Sequence, residues 1–296
     1  MPANPMPAAE VAVSADLVRR LLADQHPDLA RLPVTFLANG WDNAMFRVGD
    51  ELAARVPRRE LGAKILVHEQ RWLPQLAPAL PLQIPYPERM GLPALGYPWP
   101  WSIVPYIPGV PACDTDTLDP GPAAAALGGF LAALHVPAAA DAPLNPFRGR
   151  PLRDRAENFD ANMRLVSGQV DADAADRVWS AALAAPGHVG PGVWVHGDLH
   201  PANIVTRDGR ISGVIDFGDI TSGDPAVDLA VAWMLLPAAW HEAFRDAYAV
   251  GRGSDEALWT RAKGWALYLA LVFLAYSADN PRLLGVGRRT VAAVLG

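Results

Sequence analysis

Cysteine is nearly absent from this 296-residue chain: Cys113 stands alone, so no internal disulfide can form and a disulfide-stapled secreted module is excluded. Lysine is almost as scarce, with two (Lys64 and Lys263) against twenty-three arginines. Together with the abundance of alanine and proline, this reads as coding bias rather than function. Charged residues make up only 19%, but hydrophobic ones reach 51%, which rules out wholesale disorder. The net charge of −6 argues against a protein that coats nucleic acid. Long hydrophobic runs are also missing. The longest, Ala266 to Ala275, is well short of a bilayer span. Met1 to Ala9 has neither the basic nor the apolar region of a signal peptide. The expected location is cytoplasmic, with no membrane and no nucleic-acid partner.

The charge that is present is uneven. Residues 1–104 carry 10 basic and 10 acidic side chains, and residues 105–296 carry 15 and 21. An acidic second part suits solubility or attraction of a cationic small molecule.

Periodicity separates the two parts. Leu17, Val18, Leu21 and Leu22 predict a helix over 15–24, with Ser14 as its N-cap. Strands are expected at 34–37, 44–48 and 52–56, with Gly49-Asp50 as a two-residue hairpin turn. A helix over 64–76 is expected to end or kink at Pro74. Seven prolines between 78 and 100 favour extended edge segments. A strand over 102–107 leads to the connector Pro108-Gly109-Val110-Pro111. Beyond it the pattern is mainly helical: 123–135, 153–166, 172–185, 225–240, 241–250, 255–277 and 286–295, interrupted by a β segment over 193–216. The tryptophans at 233, 240, 259 and 265 read as core. The expected division is 1–104, a linker 105–111, and 112–296.

The chemistry concentrates in residues 193–219. Asp208-Gly209 is a strong hairpin turn. If it is a two-residue loop, Asn203 faces Val214 and Pro201 faces Asp216. Asn203 and Asp216 then lie two positions apart across the ladder, about 7–8 Å by the usual geometry of diagonal neighbours. Two oxygen donors so placed can share Mg²⁺, which keeps substrate phosphates in the rest of its shell. Asp198, on the loop before them, is free to face a substrate. A carboxylate beside such a pair is what phosphoryl transfer needs. His196-Gly-Asp198, Asn203 and Asp216-Phe217-Gly218 match the protein-kinase spacing. A competing reading takes His196, Asp198 and His200 as a zinc cluster of a hydrolase.

The chain most resembles the aminoglycoside phosphotransferase family of antibiotic kinases, including its macrolide kinase branch. The resemblance rests on His196-Gly-Asp198, Asn203, and Gly223-Asp224-Pro225-Ala-Val-Asp228-Leu-Ala. It implies an α+β, bilobal protein-kinase-like fold, with a small β-rich N-terminal nucleotide-binding lobe and a larger helical catalytic lobe. It also implies ATP or GTP as donor, with Mg²⁺. It makes Asp198 the catalytic base and Asn203 and Asp216 metal ligands. Asp224 reads as a helix cap, Asp228 as a structural partner of the catalytic loop and His196 as a hydrogen-bonded residue beneath it.

At the nucleotide end, backbone N–H groups around Asn39 and Gly40 are placed to hold phosphates. Where kinases have a third-strand lysine paired with a helix glutamate, this chain has Arg55 and Glu69, with Lys64 an alternative source of the charge. Adenine would bond the backbone near Pro105 and Ile107. For the acceptor, Asp154, Glu157 and Asp160 at i, i+3, i+6 could meet ammonium groups, and His200 could touch substrate. The acceptor expected first is an aminoglycoside. A macrolide, a metabolite alcohol such as choline, a sugar or homoserine, and a catalytically dead nucleotide-binding relative remain alternatives. The sequence leaves the oligomeric state open.

Overall fold

A computed structural model describes residues 7–250 and 255–296. The chain divides into two compact units. One consists mainly of residues 5–78 and 83–108, the other mainly of residues 109–296.

The first unit is a five-stranded antiparallel sheet flanked by two helices. Helix α1 (Ala15–Gln25) starts where Ser14 Oγ accepts from the Leu17 N–H at 3.2 Å. Its buried Leu17, Val18, Leu21 and Leu22 pack on Phe46, Val56 and Ile103 of the sheet. Strands β1 (Val34–Asn39), β2 (Asn43–Val48) and β3 (Leu52–Pro57) form a meander. Val48 pairs with Leu52, so the second turn has three residues, 49–51, rather than the expected two. Gly49 takes a φ of 62°, a left-handed conformation that glycine adopts without a Cβ clash. Helix α2 (Glu60–Leu76) begins a turn before the expected 64 and runs through Pro74. Its early start has a remote cause: the Glu60 N–H donates to Glu10 Oε2 at 2.9 Å, a cap supplied fifty residues away. Pro74 lies in the last turn, where losing one amide bond does not end the helix. Strands β4 (Arg89–Gly91) and β5 (Trp101–Pro105) complete the order β1-β2-β3-β5-β4, with the proline-rich segment supplying the edge.

The second unit is mainly helical. After β6 (Val110–Pro111) come α3 (Pro120–Leu134), α4 (Ala156–Leu165) and α5 (Ala172–Ala184). Asp119 and Asp171 cap α3 and α5 with their side chains. The expected helix over 153–166 is divided: residues 152–155 form a 3-10 turn ahead of α4. The β segment comprises β7 (Val193–Val195), β8 (Ile204–Arg207), β9 (Arg210–Val214) and β10 (Thr221–Gly223). Strands β6, β8 and β9 form one sheet, and β7 pairs with β10. Then follow α6 (Ala226–Leu229), α7 (Val231–Leu235), α8 (His241–Ala249), α9 (Glu256–Tyr276) and α10 (Pro281–Leu295). The expected single helix over 225–240 is thus broken into short turns. Helix α10 starts five residues early because Asn280 caps it and Pro281 takes its first position. Trp259 and Trp265 are buried as expected, but Trp240 stands at the surface, 38% exposed. Among the described residues no helix is long and apolar enough to cross a membrane.

Candidate active site

The loop between β7 and β8 is built on buried hydrogen bonds. Asp228, fully buried at the start of the α6–α7 region, accepts from the His196 N–H at 2.7 Å and the Gly197 N–H at 2.9 Å. His135 of α3 reaches the same carboxylate at 3.1 Å. The His196 ring spans the loop, with Nε2 on the Ile215 carbonyl (3.0 Å) and Nδ1 accepting from the Asp198 N–H (3.2 Å). Both of its nitrogens are engaged, which removes it from a zinc cluster. Gly197 has a φ of 86°, and a Cβ there would fall 2.5 Å from the Asp219 carbonyl. Glycine lets the loop close on that neighbour.

Asp198 projects from this loop with its side chain 29% exposed. Arg148 Nη2 donates to its Oδ1 at 3.1 Å, and His200 Nε2 lies 3.4 Å from Oδ2. Burial opposes ionisation, but the charge and hydrogen bond of His200, then Arg148 and His196, outweigh it. The carboxyl is held far below the usual carboxylate range. His200 is nearly buried, edge-on to Phe273, and its Nδ1 accepts from the Ala202 N–H.

The expected hairpin register does not hold through its whole length. Arg207 faces Arg210, as counted, but a bulge between Val205 and Thr206 shifts the ladder by one. Ser212 is the extra residue, and its hydroxyl donates to the Val205 carbonyl at 3.2 Å. Val214 therefore faces Ile204 rather than Asn203. Asn203 instead accepts from the Ile215 N–H with its carbonyl, which sets it one position from Asp216 instead of two. Asp216 takes a left-handed conformation, φ 64°. Asn203 spends its amide donor on the Asp198 carbonyl at 2.9 Å, leaving its side-chain oxygen as the group it offers a cation. Amide and carboxylate oxygens are the hard donors that magnesium takes, so these residues fit that ion.

Sequence reasoning missed Arg148, Asp219 and Asn145. Asn145 Nδ2 donates to Asp219 Oδ1 at 2.7 Å, and Arg148 Nε lies 3.9 Å from Asp219 Oδ2. Burial raises the Asp219 carboxyl, Asp198 adds to this, and Arg148 and Asn145 offset it. Asp224 caps the Ala226 N–H and receives a buried two-point bond from Arg261, at 2.8 and 3.2 Å. The three acidic residues proposed for an ammonium acceptor are exposed. Asp154 lies in the 3-10 turn and pairs with Arg150, whereas Glu157 and Asp160 are on α4.

In the first unit, Arg55 Nη2 donates to Glu69 Oε1 at 2.8 Å, with side chains 12% and 4% exposed. Lys64 is at the surface and pairs with Glu60 instead. The Asn39–Asn43 turn is closed by the Gly40 N–H on the Asn43 carbonyl, so that amide, expected next to Asn39 to hold phosphates, is spent inside the turn. Asp42 fastens it to the start of α2 through Arg59, at 2.8 Å. Pro105 faces Leu52 across the sheet, and Ile107 is buried.

Kinase-like proteins have this fold. A family model described as the phosphotransferase enzyme family matches residues 33–265, and the chain belongs to that family of small-molecule kinases. Among solved structures, the GDP complex of aminoglycoside 2'-phosphotransferase-IIIa is 18% identical over 95% of this chain and 98% of its own, with a TM-score of 0.67. Macrolide 2'-phosphotransferase MphH from Brachybacterium faecium is 24% identical over 95% and 97%, with a TM-score of 0.62. The ternary complex of APH(2")-IIa with streptomycin and ATP is 19% identical over 94% and 95%, with a TM-score of 0.61. No curated protein sequence matches the chain.

Proposed function

We propose that the protein transfers the γ-phosphate of ATP or GTP to a hydroxyl of a small molecule, with an aminoglycoside the first acceptor to test and a macrolide the second. One observation carries the reading: an ionised carboxylate, Asp198, stands beside an amide–carboxylate pair, Asn203 and Asp216, on one hairpin end. Similar structures that include aminoglycoside and macrolide kinases support the choice of acceptors.

Asp198 accepts the hydrogen bond of the acceptor hydroxyl and aims its oxygen at the γ-phosphorus. As the new P–O bond forms, the bond to the leaving β-phosphate oxygen breaks. The hydroxyl proton passes to Asp198. Its task is chiefly to orient the hydroxyl, since a loose transition state asks more of orientation than of early proton removal. Asn203 and Asp216 would hold magnesium with the nucleotide, which would supply positive charge to the phosphate oxygens. Arg55, oriented by Glu69, serves the phosphates, and the backbone near Pro105 and Ile107 serves the base. The first unit is thus the nucleotide-binding lobe and the second the catalytic one.

The test is ADP release from Mg²⁺–ATP across kanamycin, gentamicin, streptomycin, a macrolide and small metabolite alcohols, with Asp198→Ala as control. Acceptor-dependent release that the control loses is expected. Equal release by the control would refute the role of Asp198.

A further inference from the structure

Nothing in the sequence marks residues 143–149, which lie outside the helices and strands, yet this strap is fastened along its whole length. The Thr221 hydroxyl and the Ser222 N–H both donate to the Pro143 carbonyl, at 2.8 and 3.0 Å. The Asn145 N–H donates to Thr221 Oγ at 2.8 Å, and Asn145 Oδ1 accepts from the N–H groups of Phe147 (2.8 Å) and Arg148 (3.1 Å). At the far end the Asp224 N–H donates to the Gly149 carbonyl at 2.9 Å. Gly149 has a φ of 65° and lies so close to Gly223 that a Cβ on Gly223 would fall 2.2 Å from the Gly149 carbonyl oxygen. The strap is thereby laid against β10, and the residue it aims is Arg148.

Arg148 is 18% exposed and reaches two carboxylates from one guanidinium: Asp198 Oδ1 at 3.1 Å and Asp219 Oδ2 at 3.9 Å. Asn145 holds the other oxygen of Asp219, and His200 approaches the other oxygen of Asp198. Two carboxylates this close repel each other, and the guanidinium between them balances that repulsion. Free of it, Asp198 would gain side-chain freedom and be driven from the orientation that receives an acceptor hydroxyl. A lysine has a single ammonium and cannot reproduce a two-sided contact.

We propose that Arg148, aimed by the 143–149 strap, is a positioning residue for phosphoryl transfer: it holds Asp198 in its working orientation and keeps Asp219 from displacing it. The proposal rests on the kinase reading above. The experiment measures acceptor-dependent ADP release with Mg²⁺–ATP, using the best acceptor of the panel, in wild type, Arg148→Ala, Arg148→Lys and Asn145→Ala. Melting curves establish that each variant is folded. Misplacing a catalytic group by about 1 Å lowers rates on the order of 100-fold. Arg148→Ala is therefore expected to lose about that much kcat with the KM for ATP nearly unchanged, and to regain part of it when guanidinium ion is added at millimolar concentration. Arg148→Lys is expected to fall between wild type and Arg148→Ala, and Asn145→Ala to lose kcat in the same direction. An unchanged or raised kcat in folded Arg148→Ala overturns the proposal, and so does an unchanged kcat in Arg148→Lys. A silent wild type that still binds ATP overturns the kinase reading and the Arg148 role with it, an outcome distinct from an active wild type with indifferent variants.

Discussion

Asp228 is the residue on which the loop from His196 to Asn203 hangs, and its replacement gives a calculable loss. Three donors converge on its fully buried carboxylate: the backbone N–H groups of His196 and Gly197, and His135. Asp228→Ala removes every acceptor at once. Each buried donor left unpaired costs about 1–3 kcal/mol. His135 stays anchored through Tyr248 at 3.0 Å, so the burden falls on the two loop amides. The expected destabilisation is about 3–5 kcal/mol, a drop in Tm of roughly 10 °C or more for a unit of this size. Asp228→Asn keeps one oxygen for one N–H and turns an NH₂ toward the other, so it should lose about 2 kcal/mol and much of kcat. Thermal and urea unfolding followed by circular dichroism measure the first quantity, and ADP release at saturating nucleotide the second. A loss below about 1 kcal/mol in Asp228→Ala would refute the reasoning, because the loop would then have another support.

Asp198→Ala should abolish phosphoryl transfer while leaving nucleotide affinity within about twofold by titration, since the carboxylate's work is on the acceptor side. Asp216→Ala should weaken Mg²⁺–nucleotide binding in calorimetry, and an unaltered affinity would remove it from the cation site. Glu69→Gln should raise the KM for ATP, because the buried Arg55 guanidinium loses its charged partner. His241 supplies a pH test. Burial lowers its pKa, while the Leu236 and Ala232 carbonyls oppose the shift and Lys263 adds to it. The unfolded state therefore binds more protons, so this contribution to stability is complete above the ordinary pKa of about 6.5 and is lost as pH falls through it. Tm should drop between pH 7.5 and 5.5, and less steeply in His241→Gln.

What the sequence made legible was what neighbours in sequence decide. Ser14 caps the helix that follows it, as expected, and the Asp208-Gly209 turn pairs Arg207 with Arg210. The same local logic failed where a distant residue intervened. The start of α2 depends on Glu10, and the hairpin register depends on a bulge stabilised by Ser212. The pairing of Arg55 with Glu69 was readable because kinase spacing supplied it, and Lys64 could be set aside only once the structure paired it with Glu60. Arg148 had no such guide. It sits among four arginines between 148 and 155, and nothing in their pattern distinguishes the one that the strap turns inward.

Net charge is also a coarse guide to the acceptor. The second part of the chain carries six more acids than bases, which reads as a field for a polycation. In the structure those acids are spread over different duties. Asp224 and Asp228 are consumed by buried bonds, and Asp154 is paired with Arg150 at the surface. Around Asp198, itself a carboxylate, Asp219 adds a second negative group, 38% exposed, and Arg148 a positive one. An ammonium arriving beside the reacting hydroxyl would meet Asp219 attractively and Arg148 repulsively, at distances where neither is screened by salt. An anionic neighbour to the hydroxyl would meet the reverse, and a neutral one neither force. On the kinase reading proposed above, the charge of the acceptor next to its hydroxyl would be weighed by these groups around Asp198, and the rest of the acidic surface would act mainly on the rate of encounter.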